Sequence, residues 1–299
     1  MLNPPGFLPE NQRATVTFRP RYEDLTQDGR AVIDGVASAL GDAGWRGIVD
    51  HHPFAPVFFG QGIVPILRRL VFVSGPGPHS ALFPWRVDAS MALAHEKDAR
   101  GVTQRLFMLM WATAHAPHGS TYAPPSKDDP LHPVGTIFAE HVMTRLFAPP
   151  DQRRVTKVEG WDILEPAPGP HHAPPAEQLL DLPTGATALM ASPQVAAQHV
   201  FLMAHTDSNH HVNSMVYPRL FEEAAVAQLR NMDAATPATL LAQHTEIIWR
   251  KPFFAGDGVE IRLQTWRDGG AWGAHGGFYG AGEDKPRATL RMRFTASSA

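Results

Sequence analysis

The sequence lacks several features that would decide its chemistry at once. It has no cysteine among 299 residues, which excludes a disulfide framework, a thiol nucleophile and a zinc site built on cysteines. It has no run approaching the roughly 20 apolar residues that span a bilayer. The start of the chain, residues 1–6, also lacks the basic residues and apolar core of a signal peptide. We therefore expect a cytoplasmic protein without a membrane span.

Charge of either sign is also scarce. Charged residues make up 18% of the chain, the net charge is −3, and there is no long run of one sign. Nucleic acids and anionic membranes are bound through concentrated basic surfaces, so neither is an expected partner. Apolar residues make up 43%, which favours a globular protein with one large domain or two of ordinary size.

Histidine is abundant but its spacing does not indicate a metal site. The 16 histidines include the pairs His51-His52 and His171-His172, in proline-rich or glycine-rich surroundings and without a His-Glu-x-x-His pattern. We expect these side chains to lie in solvated loops. No metal ion and no cofactor is predicted.

Proline divides the chain. Residues 147–197 are rich in proline, including the pairs Pro149-Pro150 and Pro174-Pro175. Proline fixes φ and removes a backbone donor, so a packed run of strands is not expected there. This predicts a surface connector at 148–197 between an N-terminal domain, 1–147, and a C-terminal domain, 198–299.

The C-terminal half has the clearer pattern. After an extended segment at 198–205, apolar residues recur at helical spacing and predict a helix over 216–229. Period-two alternation and apolar runs then predict four strands, at 245–249, 259–264, 272–279 and 290–295.

The N-terminal half has the same order of parts. A strand is predicted at 15–22, and a helical stripe follows at Val32, Val36, Ala39, Leu40 and Ala43. Four further strands are predicted at 63–73, 83–94, 105–114 and 136–147. The segment 105–114 is apolar nearly throughout, as a strand covered on both faces would be. The order strand, helix and four strands, occurring twice, indicates an internal repeat.

A cluster of polar residues precedes the C-terminal helix. Residues 205–217 read His-Thr-Asp-Ser-Asn-His-His-Val-Asn-Ser-Met-Val-Tyr, which places acid, base and amide groups at one strand-to-helix junction. This segment resembles the active-site segment of hotdog-fold thioesterases, and most closely that of the plant-type acyl-acyl-carrier-protein thioesterases. In those enzymes a second asparagine occupies the position of Ser214.

The resemblance implies both fold and chemistry. It implies an α+β protein of two tandem hotdog domains, each an antiparallel sheet wrapped around one long helix. It implies hydrolysis of an acyl-coenzyme A or acyl-carrier-protein thioester, with Asp207 as base or nucleophile and Asn209 and His211 assisting. Val212, Asn213 and Tyr217 are the expected substrate-binding residues, and pairing of two double-hotdog chains into a homodimer is expected from the family.

Backbone N–H groups around residues 211–213 are the expected oxyanion donors, because N–H groups at a helix start point outward unpaired. A simpler alternative remains for Asp207, since an aspartate before a helix often serves as its N-terminal cap. For Asn213 a capping or turn role is preferred, and for Tyr217 a place in the core.

The two halves align without gaps at this junction. Residues 22–30 resemble the benzoyl-CoA-type thioesterase signature, and there Thr26 falls at the position of Asp207 and Arg30 at that of His211. The N-terminal half has therefore lost the acid, and one active site is expected, in the C-terminal half.

The plant-type enzymes also carry a glutamate on a later strand, where this chain has Phe253, while Glu246 is out of register. That departure leaves open a non-catalytic acyl-binding protein. The hydratase and dehydratase branch of the fold is a weaker alternative, because its motif is absent from the C-terminal half.

Overall fold

The computed structural model describes residues 3–6, 8–161, 171–232 and 236–296. The chain divides into two compact units, one formed by Met1–Leu70 with Ser74–Ala173 and the other by Val71–Val73 with Pro174–Ala299. Among the described residues no helix is long and apolar enough to cross a membrane.

The first unit is a five-stranded sheet with helices against it. The strands lie in the order β1, β3, β4, β5, β2, and the first four pair antiparallel. Its elements are β1 (Arg13–Phe18), α1 (Ile33–Leu40), α2 (Phe54–Gly60), β2 (Val64–Ser74), β3 (Trp85–Lys97), β4 (Thr103–Pro117) and β5 (Leu131–Thr144).

The second unit repeats this arrangement. Its strands lie in the order β7, β9, β10, β11, β8, all antiparallel, and the two-residue strand β6 also pairs with β9. Its elements are β6 (Thr187–Ala188), β7 (Gln194–Val200), α3 (Val216–Met232), β8 (Leu241–Trp249), β9 (Gly258–Asp268), β10 (Ala271–Gly280) and β11 (Ala288–Thr295). The corresponding strands of the two units occupy the same places in their sheets, so the predicted repeat of elements is present in the structure.

Each sheet buries its inner face against a helix. In the second unit α3 packs on β7 to β11 through Tyr217, Phe221, Ala225 and Leu229, which recur at helical spacing and are fully buried. In the first unit α1 continues as a π-helical turn, Gly41–Arg46, over β4. Gly44 lies against the terminal methyl of Met110 on β4, and a Cβ at that position would require this methyl to shift.

Most of the predicted elements are present, with shifted ends. Strand β4 is buried continuously from Leu106 to Ala112, as its apolar sequence predicts. The predicted strand at 15–22 is wrong at its end: β1 stops at Phe18, and Tyr22–Asp24 form a 3₁₀ turn. Pro20 explains the stop, since proline cannot donate to a ladder.

The extended segment predicted at 198–205 is also shifted. Strand β7 spans Gln194–Val200, and Met203–His205 form a 3₁₀ turn. Its first residues therefore lie within the range predicted for the connector. The alternation of apolar and polar residues in this strand is weak, and the sequence does not reveal its pairing with β9.

The expectation of solvated histidines is wrong for several of them. His52, His79, His95, His141 and His275 are buried, and His171 lies against a buried carboxylate. Burial lowers the pKa values of His141 and His275 to about 4, so both imidazoles are neutral core groups near pH 7.

Candidate active site

The polar segment before α3 forms a tight turn. Thr206 and Val212 make an isolated antiparallel bridge. Residues 206–212 form a turn that we call the second turn, because it belongs to the second unit. The N–H of Asp207 donates to the carbonyl of His211 at 3.2 Å, and the N–H of His210 donates to the carbonyl of Asp207 at 3.0 Å. His210 has a φ of 63°, in the left-handed region. The turn therefore presents its side chains from a backbone that is hydrogen-bonded to itself.

The carboxylate of Asp207 is held by two neutral donors. Oδ1 accepts the N–H of Asn209 at 2.9 Å, and Oδ2 accepts the amide Nδ2–H of Asn213 at 3.1 Å. Asp207 and Asn213 are half-buried, while Asn209 is exposed. Neither donor belongs to α3, so Asp207 does not cap that helix and the capping alternative for it is not supported. The carboxylate is fixed in direction while part of it still reaches solvent.

His211 lies in the same turn as this carboxylate and is half-buried. Its Nδ1 is 3.2 Å from the carbonyl oxygen of Val212. A carbonyl can only accept, so Nδ1 carries the hydrogen in this arrangement, and the lone pair of the neutral ring is on Nε2.

Two backbone N–H groups expected to stabilise an oxyanion are already used. The N–H of Val212 donates to the carbonyl of Phe253 at 2.8 Å, and the N–H of Asn213 donates to the carbonyl of His205 at 2.9 Å. The expectation for these two groups is therefore wrong. Sequence reasoning missed the contact because Phe253 reaches Val212 from the loop between β8 and β9, which is distant in sequence.

Phe253 is hydrogen-bonded to the second turn through Val212, and Tyr217 is hydrogen-bonded to Phe253. Tyr217 is 1% exposed and packs against the rings of Phe201, Trp249, Phe253 and Phe278. Its hydroxyl accepts the N–H of Phe253 at 3.3 Å, and burial raises the pKa of Tyr217 to about 12. The tyrosine is a neutral core residue that holds the loop after β8, and this loop carries the carbonyl for Val212.

An arginine that the sequence did not single out completes this support. The guanidinium of Arg287 lies 4.4 Å from the ring centroid of Phe253, donates to the carbonyl of Pro252 at 3.2 Å and pairs with Asp257 at 2.9 Å. Arg287 thus joins the end of β8 to the turn before β9. Its place just before an alternating strand gave no signal of this role.

The first unit contains the same turn. Residues 25–31, the first turn, are closed by a bridge between Leu25 and Ala31. The N–H of Thr26 donates to the carbonyl of Arg30 at 2.9 Å, and the N–H of Gly29 donates to the carbonyl of Thr26 at 2.9 Å. These are the two backbone hydrogen bonds of the second turn, in the gap-free register that the sequence predicts.

The side chains of the first turn make a different arrangement. Its carboxylate is Asp28, at the place of Asn209, and it accepts the hydroxyl of Thr26. Arg30, at the place of His211, pairs with Asp28 at 2.8 Å, and both side chains are nearly buried. This carboxylate is neutralised by a guanidinium, whereas the donors to Asp207 are neutral.

The left-handed residue of each turn permits a stability test. Gly29, with a φ of 75°, occupies the place of His210. Left-handed backbone costs a non-glycine residue about 1–2 kcal/mol, and glycine loses about 0.5–1 kcal/mol in folding entropy. We expect His210→Gly to leave the free energy of unfolding unchanged or raise it by up to about 1 kcal/mol. His210→Val should lower it. Chemical denaturation measures both, and a marked loss in the glycine variant would mean that the imidazole itself stabilises the turn.

Within the described ranges, no group of three or more histidine, aspartate or glutamate side chains is placed to hold a metal ion.

No protein-family model matches the chain, and no curated protein matches it in sequence. Solved structures do match. An acyl-ACP thioesterase from Bacteroides thetaiotaomicron aligns with a TM-score of 0.58 at 14% identity, over 96% of this chain and 99% of that one. The 12:0-ACP thioesterase from Umbellularia californica aligns with a TM-score of 0.56 at 12% identity, over 97% of this chain and all of that one. This chain has the hotdog fold of these thioesterases.

Proposed function

We propose that this protein hydrolyses thioesters of acyl-coenzyme A or an acyl-carrier protein at the second turn. Asp207 is the base or nucleophile, and Asn209 and His211 assist it. The observation that carries the proposal is the half-buried carboxylate of Asp207, held by two neutral donors in a turn that also carries Asn209 and His211. The fold shared with acyl thioesterases supports the same substrate class.

The proposed reaction needs water, a polarised carbonyl and a protonated leaving group. Asp207 takes a proton from water as the water oxygen attacks the thioester carbon, or its own oxygen attacks that carbon and water then hydrolyses the acyl-enzyme anhydride. The C–S bond breaks. In the general-base route the proton taken from water passes from Asp207 through Nε2 of His211 to the leaving thiolate. In the nucleophilic route the thiolate takes its proton from water, and hydrolysis of the anhydride releases one proton in return. In this proposal the side-chain amide of Asn209 donates to the carbonyl oxygen. The products are a carboxylic acid and a thiol.

Exposed apolar side chains beside the second turn support an acyl substrate. Leu202 is 58% exposed and Met203 77% exposed, directly before the turn. The corresponding positions in the first unit are Arg21 and Tyr22, also exposed. The second unit thus has two exposed apolar side chains at these positions, where the first unit has an arginine and a tyrosine. Exposed apolar patches mark ligand grooves and contact surfaces.

We propose one site in a double hotdog, with domains at 1–147 and 198–299 and a connector at 148–197. The repeated strand order and the two matching turns support this division. The neutralised Asp28 supports a first turn without chemistry of its own.

A non-catalytic acyl-binding protein is the second candidate. Phe253, at the place of the plant-type glutamate, is fully buried and contributes only backbone groups to the second turn. The turn therefore lacks one carboxylate of the plant-type set.

Thiol release distinguishes these functions. Wild-type protein is incubated with acyl-coenzyme A of short, long and aromatic acyl groups and with acyl-carrier protein, and a thiol-reactive dye records turnover. The chain itself has no cysteine, so it adds no signal. Turnover supports the thioesterase. Saturable binding of a non-hydrolysable acyl-coenzyme A thioether without turnover supports the binding protein, and neither binding nor turnover contradicts both.

A further inference from the structure

Asn213 connects the carboxylate of Asp207 to the start of α3. Its Nδ2–H donates to Oδ2 of Asp207 at 3.1 Å, and its Oδ1 accepts the N–H of Met215 at 2.8 Å. Its backbone carbonyl accepts the N–H of Val216, the first residue of α3, at 3.1 Å. One amide side chain therefore uses its acceptor for the backbone and its donor for the carboxylate.

The first unit shows that the backbone at this position does not require an amide. Val32 occupies the place of Asn213, and its N–H donates to the carbonyl of Asp24 at 3.0 Å. The N–H of Gly35 donates in turn to the carbonyl of Val32 at 3.2 Å. These two hydrogen bonds correspond to those that Asn213 makes with His205 and Val216. A valine thus supports the same chain path, and what the asparagine adds is its side chain.

The asparagine is present in the unit that has a carboxylate at the place of Asp207, and the valine in the unit that lacks it. In the first turn the place of Asp207 is taken by Thr26, whose hydroxyl is used locally by Asp28. A donor from the place of Asn213 would have no carboxylate to meet there. In the second turn the N–H of Asn209 occupies Oδ1 and the amide of Asn213 occupies Oδ2. Two donors on different oxygens fix the plane of a carboxylate, where one would leave it free to rotate.

We propose that Asn213 is a positioning residue for Asp207: its amide donor fixes the carboxylate in the orientation used for hydrolysis. This inference rests on the proposed function. It is separable from a purely structural role, because the donor and the acceptor of the amide serve different partners.

The test removes the donor while keeping or removing the acceptor. Asn213→Asp and Asn213→Ser retain an oxygen that can accept the N–H of Met215 but offer Asp207 no amide donor. Asn213→Ala removes both groups. Each variant is assayed for kcat and KM with the acyl thioester that wild type turns over, and its melting temperature is measured.

If Asn213 positions Asp207, loss of its amide N–H donor should lower activity, and loss of its amide oxygen acceptor should lower stability. We expect kcat to fall by about 10–100-fold in all three variants, the range seen when a group supporting a reactive residue is lost. KM should change little, and the melting temperature should fall mainly for the alanine variant. In an Asp207→Asn background, the further change Asn213→Ser should have no additional effect on kcat, since coupled residues are not additive.

Two results would overturn the inference, and they differ. Wild-type kcat in the serine and aspartate variants, with loss only in the alanine variant, would leave Asn213 with a structural role while the thioesterase stands. Absence of turnover in the wild type would remove the proposed function, and the positioning role with it.

Discussion

Replacing Asp207 with asparagine should lower kcat/KM for thioester hydrolysis by about 10²–10⁴-fold, the range that a lost general base or acid produces. The amide has the shape of the carboxylate but can neither accept the proton of water nor attack a carbonyl. The loss should therefore fall on kcat, with KM changing much less. Initial rates of thiol release over a range of acyl-coenzyme A concentrations give both constants.

The asparagine variant is also expected to remain folded. Asp207 is half-buried and its donors belong to the same turn and to Asn213, so the change alters only local hydrogen bonds. Asp268→Asn provides the matched control. That carboxylate is exposed at the end of β9 and pairs at 3.5 Å with Arg293. The control should keep wild-type kinetics, whereas wild-type kinetics in Asp207→Asn with an unchanged melting curve would contradict the assignment.

Replacing Glu140 with alanine should produce the largest loss of stability, about 3–5 kcal/mol in the free energy of unfolding at pH 7. Glu140 lies on β5 with a side chain that is 0% exposed. Its Oε1 pairs with the guanidinium of Arg68, and its Oε2 with Nε2 of His171 at 2.6 Å. Removing the carboxylate leaves the largely buried guanidinium without this counter-charge. Urea denaturation measures the difference, and a change below about 1 kcal/mol would contradict the prediction.

The pH dependence of stability in a second variant, Glu140→Gln, gives an independent test. Burial raises the pKa of Glu140, but its hydrogen bonds and charge interactions with His171 and Arg68 outweigh burial and leave the pKa below its usual value of 4.5. A carboxyl group with a depressed pKa stabilises the fold above its unfolded pKa, and that contribution disappears as pH falls through the folded pKa. The difference between wild type and Glu140→Gln should therefore be constant near neutrality and shrink below pH 4.5. A difference that grows on acidification would contradict the sign.

The sequence pattern predicts those helices and strands that bury one face, because burial of one face imposes a regular spacing of apolar residues. The alternation in β9 and β11 and the helical spacing of Tyr217, Phe221 and Leu229 reflect one buried face each, and burial imposes that spacing on the sequence. The gap-free alignment placed Thr26 at Asp207, and the hydrogen bonds of the two turns have that register.

Contacts between distant segments could not be predicted in this way. The proline-rich surroundings of His171 predict a solvated side chain, yet its partner Glu140 lies on β5. The N–H of Val212 was assigned to an oxyanion because only the fold brings the carbonyl of Phe253 to it. For Asn213 the sequence predicts substrate binding or a capping or turn role, but it cannot predict the hydrogen bond to Asp207, since sequence gives no distance between them.

The central claim is that chemistry belongs to the second turn and not to the first. Its most direct test is thiol release by Asp207→Asn and Asp28→Asn side by side, with melting curves for both. Asp28 is the carboxylate of the first turn and is neutralised by Arg30, so Asp28→Asn should keep turnover comparable to wild type while Asp207→Asn loses it. Loss of turnover in folded Asp28→Asn, with turnover retained in Asp207→Asn, would place the active site in the first turn and contradict the claim.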